Sequence, residues 1–325
     1  MILRLSLILI FLLVLTGVAT WYAGPREPAD LTIGFDPARI GSDPDAYLAR
    51  TEADVPNLRP ADAKEIVWAY PASRAKTPLA IVYIHGFSAS KEEMRPLPDE
   101  VAQKLGANLF FTRLSGHGRD GVAMARTNVN EWMNDLAEAV AVGRTIGERV
   151  IVVANSTGGT LATLGASRPG LMHGVAGLVL LSPNYGLLDR YAFLLDVPFA
   201  REFGPWWMGE ERSFTPVNDE QAAHWTTRYP TVALLPLGAL LRETRGLDVS
   251  AMTIPAFFLY SPADQVVDPI ATEAIAARWG APHATLQMPV TGDPRNHVLA
   301  GRIISPDTTD ELAQRIADWV AALPQ

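Results

Sequence analysis

The hydrophobic pattern divides the chain into three regimes. After Arg4 the run from Leu5 to Gly24 carries no charge and is dense in Leu, Ile and Val, with Pro25 and Arg26 closing it. From Arg26 to about Ala63 the sequence is rich in Pro, Asp and Ala and shows no period, which reads as a linker lying along the surface. Beyond it, short apolar runs alternate with helical periodicity. Strands are expected at Glu65–Tyr70, Leu79–Ile84, Asn108–Thr112, Val150–Ala154, Val175–Leu181, Pro255–Ser261 and Ala284–Met288. Helices are expected at Lys91–Leu105, Val129–Gly147, Thr157–Ser167, Pro269–Trp279 and Thr308–Leu323. Such alternation predicts an α/β fold, a mostly parallel sheet with helices on both faces and ligand chemistry at the carboxyl ends of the strands.

One interval breaks this rhythm. Between Tyr185 and Arg245 the sequence shows no strand-helix unit, yet it carries Tyr191, Phe193, Phe199, Phe203, Trp206, Trp207, Trp225 and Tyr229. An excursion of that size between two sheet strands reads as a cap over the strand ends. The expected organisation is therefore a signal anchor or signal peptide over 1–24, a linker over 25–63, a core over 64–185 and 246–325, and a cap insertion over 186–245.

Composition narrows the partners. The 325 residues are 48% hydrophobic and 19% charged with a formal net charge of −8, a balance that disfavours wrapping nucleic acid. There is no cysteine, which removes disulfides, thiolate nucleophiles and Cys-ligated metals. No cofactor motif or metal constellation is evident. The first apolar run lies between a signal-peptide core and a full membrane span. Gly17-Val18-Ala19 offers a cleavage site, while Trp21 and Tyr22 suit a membrane interface. An uncleaved anchor is the favoured reading, and both place the rest of the chain outside the cytoplasm.

Candidate chemistry starts at Val150–Ala154, which runs directly into Asn155-Ser156-Thr157-Gly158-Gly159 and then into a helical stretch. A serine on a tight strand-to-helix turn has its hydroxyl pushed out over the sheet edge, and its neighbours must be small. Ser156 is thus either a nucleophile or an ordinary helix cap, a position serine also favours. Here the chain resembles the α/β-hydrolase family, whose nucleophile elbow is G-x-S-x-G and stands in this sequence as Ala154-Asn155-Ser156-Thr157-Gly158, with Ala154 departing from the first glycine.

The order that the resemblance implies is Ser, then Asp or Glu, then His. Asp264 lies in the loop after Pro255–Ser261, where an orienting acid belongs; the neighbouring Asp268-Pro269 is accounted for as a helix start. His297 follows the last predicted strand and is the natural base, and Asn296-His297-Val298-Leu299 before a final helix is similar to the C-terminal end of the lipase and carboxylesterase members. His85-Gly86-Phe87 resembles the family's oxyanion loop, which implies the backbone N–H groups of Phe87 and Thr157 as the oxyanion donors. His85 and His117, in Leu114-Ser115-Gly116-His117-Gly118, read as residues that shape loops.

The compact size, the His-Gly-Phe loop and the cap look most like monoacylglycerol lipases, lysophospholipases and small carboxylesterases. The resemblance implies a serine hydrolase cleaving small-molecule esters, with an apolar acyl chain suggested by the cap aromatics, which serve equally as the cap's own core. If the Gly204-Pro205 segment is extended, Trp206 and Trp207 face opposite ways and one of them lines the approach to Ser156. Rival readings are an acyltransferase or cofactor-free peroxidase-like enzyme on the same triad, and a membrane-tethered binding protein with no catalysis.

Overall fold

The computed structural model describes residues 2–324. It opens with helix α1 (Ile2–Ala23), of which Leu3–Ala23 has a mean hydropathy of 2.3 and is not buried by the rest of the molecule. By length and composition this helix can cross a membrane.

The expected sheet forms. Seven strands, β1 (Glu65–Val67), β2 (Thr77–Ile84), β3 (Asn108–Phe111), β4 (Gly147–Asn155), β5 (Val175–Leu181), β8 (Ala256–Tyr260) and β9 (His283–Gln287), lie in the order β1-β3-β2-β4-β5-β8-β9, with only β1 antiparallel. A shorter ribbon, β6 (Glu211–Ser213) with β7 (Arg228–Pro230), lies in the interval 186–245. Register sorts the strand residues into two cores. Phe110, Val82, Val152, Leu178 and Ala256 align across five strands and pack on one face. Their neighbours Phe111, Tyr83, Val153, Val179 and Phe257 align on the other. Because both faces are covered, the central strands read as continuous apolar runs, which made them easy to find.

Helices α5 (Val129–Ile146), α6 (Thr157–Ala166) and α10 (Pro269–Ala276) cover the first face, and α3 (Leu97–Leu105) and α11 (Thr309–Ala321) the second. The helix expected over Lys91–Leu105 is divided: Lys91–Glu93 is a short 3₁₀ turn, and α3 begins only at Leu97. Pro96 explains the break, since it offers no N–H and drives Arg95 away from helical angles.

Residues 25–63 carry more structure than their composition indicates. Helix α2 (Pro44–Ala53) buries Tyr47 and Leu48, and with Ile40 they join the first core. Tyr47 Oη donates to Glu138 Oε1 at 2.5 Å, and Arg113 grips Glu52 with two bonds of 2.8 and 2.9 Å. Asn134 Oδ1 on α5 accepts from the N–H groups of Gly34 and Phe35 at 2.7 and 2.8 Å. This segment is a strap clamped to α5 by polar contacts, which hydrophobic periodicity does not register.

The interval 186–245 also holds regular structure: α7 (Ala200–Met208), α8 (Asp219–His224) and the ribbon, followed by α9 (Leu235–Arg245). Ala239 and Leu240 of α9 pack into the same core as Val152, so we place the end of the cap before α9. Pro236 and Gly238 obscured that helix in the sequence. The expectation of an extended segment around Trp206 and Trp207 is corrected, because Pro205 sits inside α7 and both tryptophans are helical.

Removing residues 1–24 should leave thermal unfolding nearly unchanged. Cutting on to Ala63 should destabilise the domain severely, because it uncovers one core face, takes Glu52 from Arg113 and leaves Glu138 with Lys64 but without Tyr47. Tyr47→Ala alone should cost roughly 3 kcal/mol and lower Tm by roughly 5 °C or more, as calorimetry of the anchor-free protein would measure.

Candidate active site

The site is built where β4 turns into α6. Ser156 adopts φ 49° and ψ −116°, a strained conformation for a residue with a side chain. The turn is tight because α6 starts almost against β2: a Cβ on Gly158 would lie 2.4 Å from the Ile84 carbonyl oxygen and 2.8 Å from that of His85. Ala154, the departure from the family pattern, is accommodated in the first core. Ser156 makes no side-chain cap bond to α6, so the helix-cap reading of this serine is not realised. Its Oγ instead lies 3.0 Å from His297 Nε2.

His297 Nδ1 is 2.8 Å from Asp264 Oδ2, and all three residues are buried. Asp264 is itself held: its Oδ1 accepts from the N–H groups of Val266 and Val267 at 2.7 and 3.0 Å. Asp268 caps α10 by accepting from Ile270 N–H at 2.9 Å, the structural role its sequence position indicated. The structure thus brings Ser156, His297 and Asp264 into one hydrogen-bonded line. Such a line can pass the serine proton to the imidazole while a carboxylate fixes the ring's tautomer.

Several supporting residues escaped the sequence reading. Asp293 Oδ2 accepts from His297 N–H at 3.0 Å and from Val298 N–H at 2.9 Å, and Ser182 Oγ donates to the His297 carbonyl at 2.7 Å. The backbone of the histidine is therefore fixed from its own loop and from the residue that follows β5. Only the position of Asp293 four residues before His297 signals this, by its fit to a loop brace.

Glu93 is a second omission. Its buried carboxylate accepts from Gly86 N–H at 2.8 Å and from Tyr83 Oη at 3.1 Å. Burial pushes its pKa up, opposed by the Gly86 bond. It sits beneath the His85-Gly86-Phe87 loop, so closely that a Cβ on Gly86 would meet Glu93 Oε1 at 2.9 Å and Ser156 Cβ at 3.1 Å.

His85 and His117 shape loops, as expected. The His85 ring bridges the Gly86 carbonyl at 2.8 Å and the Leu114 N–H at 3.1 Å, a pairing that needs a neutral imidazole. Burial, helped by His117, holds its pKa well below the ordinary value, and burial lowers that of His117 to about 4. Phe87 and Thr157 both line a cavity of about 560 Å³ that also contains Ser156 and His297. Thr157 opens α6, so its N–H has no intrahelical acceptor. Leu187, Phe214, Trp225 and Leu237 give the cavity an apolar wall, and Arg212 and Arg295 add cations. Trp206 and Trp207 do not line it; both are exposed on α7. Among the described residues no cluster of His, Asp and Glu is arranged to hold a metal ion.

Gly158→Ala should disrupt this turn, because the methyl group meets two backbone carbonyls that cannot move without breaking β2 from β4. A fall in Tm of roughly 5 °C or more is expected, whereas Ala154→Gly should be far milder.

Comparison with known proteins agrees with this architecture. The profile of the Alpha/beta hydrolase family matches residues 81–318. A thermostable monoacylglycerol lipase of Bacillus sp. (strain H-257) is 26% identical over 193 residues, covering 59% of this chain and 73% of the relative. The structure reported for the metagenome-derived lipolytic enzymes LipS and LipT superposes with a TM-score of 0.64 at 18% identity, covering 81% of this chain and 99% of the other. A soluble variant of the monoglyceride lipase of Saccharomyces cerevisiae, in complex with a substrate analog, gives 0.62 at 12% identity, covering 81% and 92%. At these identities the structural matches speak for the fold. With the family profile spanning most of the chain and the sheet order and strand-to-helix turn in place, this protein belongs to the alpha/beta hydrolase family.

Proposed function

We propose that this protein is a serine hydrolase of carboxylic esters with an apolar acyl group, working through an acyl-enzyme on Ser156. The observation that carries this reading is the buried line Ser156 Oγ, His297, Asp264, with spacings of 3.0 and 2.8 Å. In this scheme Ser156 Oγ attacks the ester carbonyl as His297 Nε2 takes its proton. Asp264 holds the ring and stabilises the imidazolium. The backbone N–H groups of Phe87 and Thr157 receive the oxyanion. Collapse of the tetrahedral intermediate breaks the C–O bond, and His297 returns the proton to the leaving alkoxide. Water activated by the same imidazole then releases the acid.

The apolar wall formed by Leu187, Phe214, Trp225 and Leu237 favours an acyl chain, and the lipase relatives favour a lipid-like ester. Each acyl methylene buried there is worth roughly 0.8 kcal/mol, so kcat/KM should climb along a chain-length series. Helix α1 supports reading the protein as anchored to a membrane, with the catalytic domain outside the cytoplasm.

A fluorophosphonate probe should label the protein at Ser156 and no longer do so in Ser156→Ala. Ser156→Ala and His297→Ala should each lower kcat by roughly 10⁴-fold or more, and the double variant should add little, because the triad acts as one unit. Asp264→Asn should be milder by roughly 10- to 100-fold. Additive losses would overturn the assignment. Glu93→Ala should reduce kcat by roughly 10-fold or more with little change in KM, because the loop that presents the Phe87 donor loses its support; Glu93→Gln, which can still accept from Gly86, should retain more.

A further inference from the structure

Two features that ester chemistry does not use meet on one side of the cap. The first is an outward apolar face. Ala200 and Gly204 of α7 turn inward, while Phe203, Trp206 and Trp207, at i, i+3 and i+4 spacing, stand in solvent. Trp206 is 79% exposed, and Tyr191 and Phe193 beside this helix in sequence are exposed as well. Phe203 stacks on Trp207 with ring centroids 5.6 Å apart, so the patch is ordered without being covered. A packed cap core, one of the readings of these aromatics, is therefore not what they form.

The second feature is a clasp between the end of α1 and the cap. Helix α1 stops at Ala23, and the Pro25 carbonyl already accepts from Phe199 N–H at 2.8 Å. Two residues span at most roughly 7 Å, so the apolar helix ends against the residue that precedes α7. Arg26 donates to the Asp196 carbonyl at 2.9 Å and back to the Trp21 carbonyl at 2.8 Å. Glu27, buried, takes two bonds from Arg201 at 2.5 and 2.9 Å, and its own carbonyl accepts from Arg242 at 2.8 Å. A flexible tether would leave the domain free to tumble; this junction fixes the cap to the helix.

A cavity of about 390 Å³ opens beside the patch, bordered by Tyr191, Leu194, Trp207 and Met208. Leu187, Arg212 and Leu234 line both this cavity and the one that holds Ser156.

We propose that the α7 face of the cap lies in the surface of the lipid bilayer that α1 enters, held there by the Glu27 clasp, and that the Tyr191–Trp207 cavity admits an apolar ester from the bilayer toward Ser156. The proposal rests on the reading of α1 as a membrane anchor and of Ser156 as the esterolytic centre. Continuity decides the occupant: a helix that crosses a bilayer and ends within a few residues of an apolar patch brings that patch to the same bilayer. Tryptophan and tyrosine are also the residues that settle at the headgroup level.

The chain has no cysteine, so single-cysteine variants need no background removal. Full-length protein in phosphatidylcholine nanodiscs would carry an environment-sensitive fluorophore at Trp206→Cys, Phe193→Cys, Leu12→Cys or Tyr70→Cys, the last at the opposite end of the sheet. Labels at 206, 193 and 12 should shift to the blue and resist an aqueous quencher several-fold better than the label at 70. If 12 is shielded while 206 and 193 quench like 70, the docking proposal fails and the anchor stands. If 12 quenches too, the anchor reading fails and takes the proposal with it. These readings require no turnover, so they survive an error in the esterase assignment. Glu27→Ala should slow hydrolysis of a long-chain monoacylglycerol in the same nanodiscs several-fold and leave a water-soluble acetate ester unaffected; equal losses on both would remove the clasp's role in delivering substrate.

Discussion

The handover from β4 to α6 sets the terms for the rest of the molecule. Ser156 is held at φ 49° because its N–H donates to the Leu181 carbonyl at 2.8 Å on the neighbouring strand, and its own carbonyl accepts from Asn184 at 3.1 Å. Those bonds require β4 and β5 to be parallel and in one register. The approach of α6 to β2 in turn requires that residue 158 have no side chain. A strained serine costs about 1–3 kcal/mol, a small quantity beside the burial of two continuous cores. The strain is thus held in place by the sheet and aims one hydroxyl at the space above it.

Around that hydroxyl the polar groups are supported in layers. His297 receives Asp264 at its ring, and Asp293 and Ser182 at its backbone. The opposite loop is braced by Glu93 below Gly86 and by a neutral His85 linking Gly86 to Leu114. Burying an ionisable group without a partner is costly, so each of these groups is tied to backbone N–H or C=O groups. Preorganised polar groups of this kind suit chemistry that develops an oxyanion, because they need no reorganisation when the charge appears.

The outer elements answer a different constraint. The strap over residues 25–63 closes one core face through Tyr47 and Leu48 and is locked by Glu52 with Arg113. The same stretch begins at the junction where Glu27 meets Arg201 and Arg242. One continuous segment therefore links the apolar N-terminal helix, the cap and the α5 face of the core. Motion of residues 186–234 relative to α1 would have to break the Glu27–Arg201 ion pair and the Arg242 bond to the Glu27 carbonyl, which makes the orientation of the cavity above Ser156 a property of the fold.

The sequence by itself determined the elements whose signals are local. The central strands, buried on both faces, appear as nearly uninterrupted apolar runs, and the edge strands β1 and β9 as shorter apolar segments between polar residues, so all seven strands of the main sheet were legible. Ser156, Asp264 and His297 stood out as candidates because each lies in a turn or loop on the carboxyl side of a strand, and the carboxyl ends of parallel strands converge in space. Other features depended on contacts far apart in sequence. Glu93 sat in what read as a helix until Pro96 split it, and its importance comes from lying under Gly86. The strap looked like a linker because its attachments, a few buried residues such as Ile40, Tyr47 and Leu48 and single polar side chains, follow no period. Tertiary structure alone decided that α7 is a helix turning its aromatics outward, which took Trp206 and Trp207 out of the Ser156 cavity and put Trp225 into it. The physical reason is the same throughout: hydrophobic periodicity reports which face of an element is buried against its own sheet, whereas caps, clasps and loop braces are set by partners the local sequence does not contain.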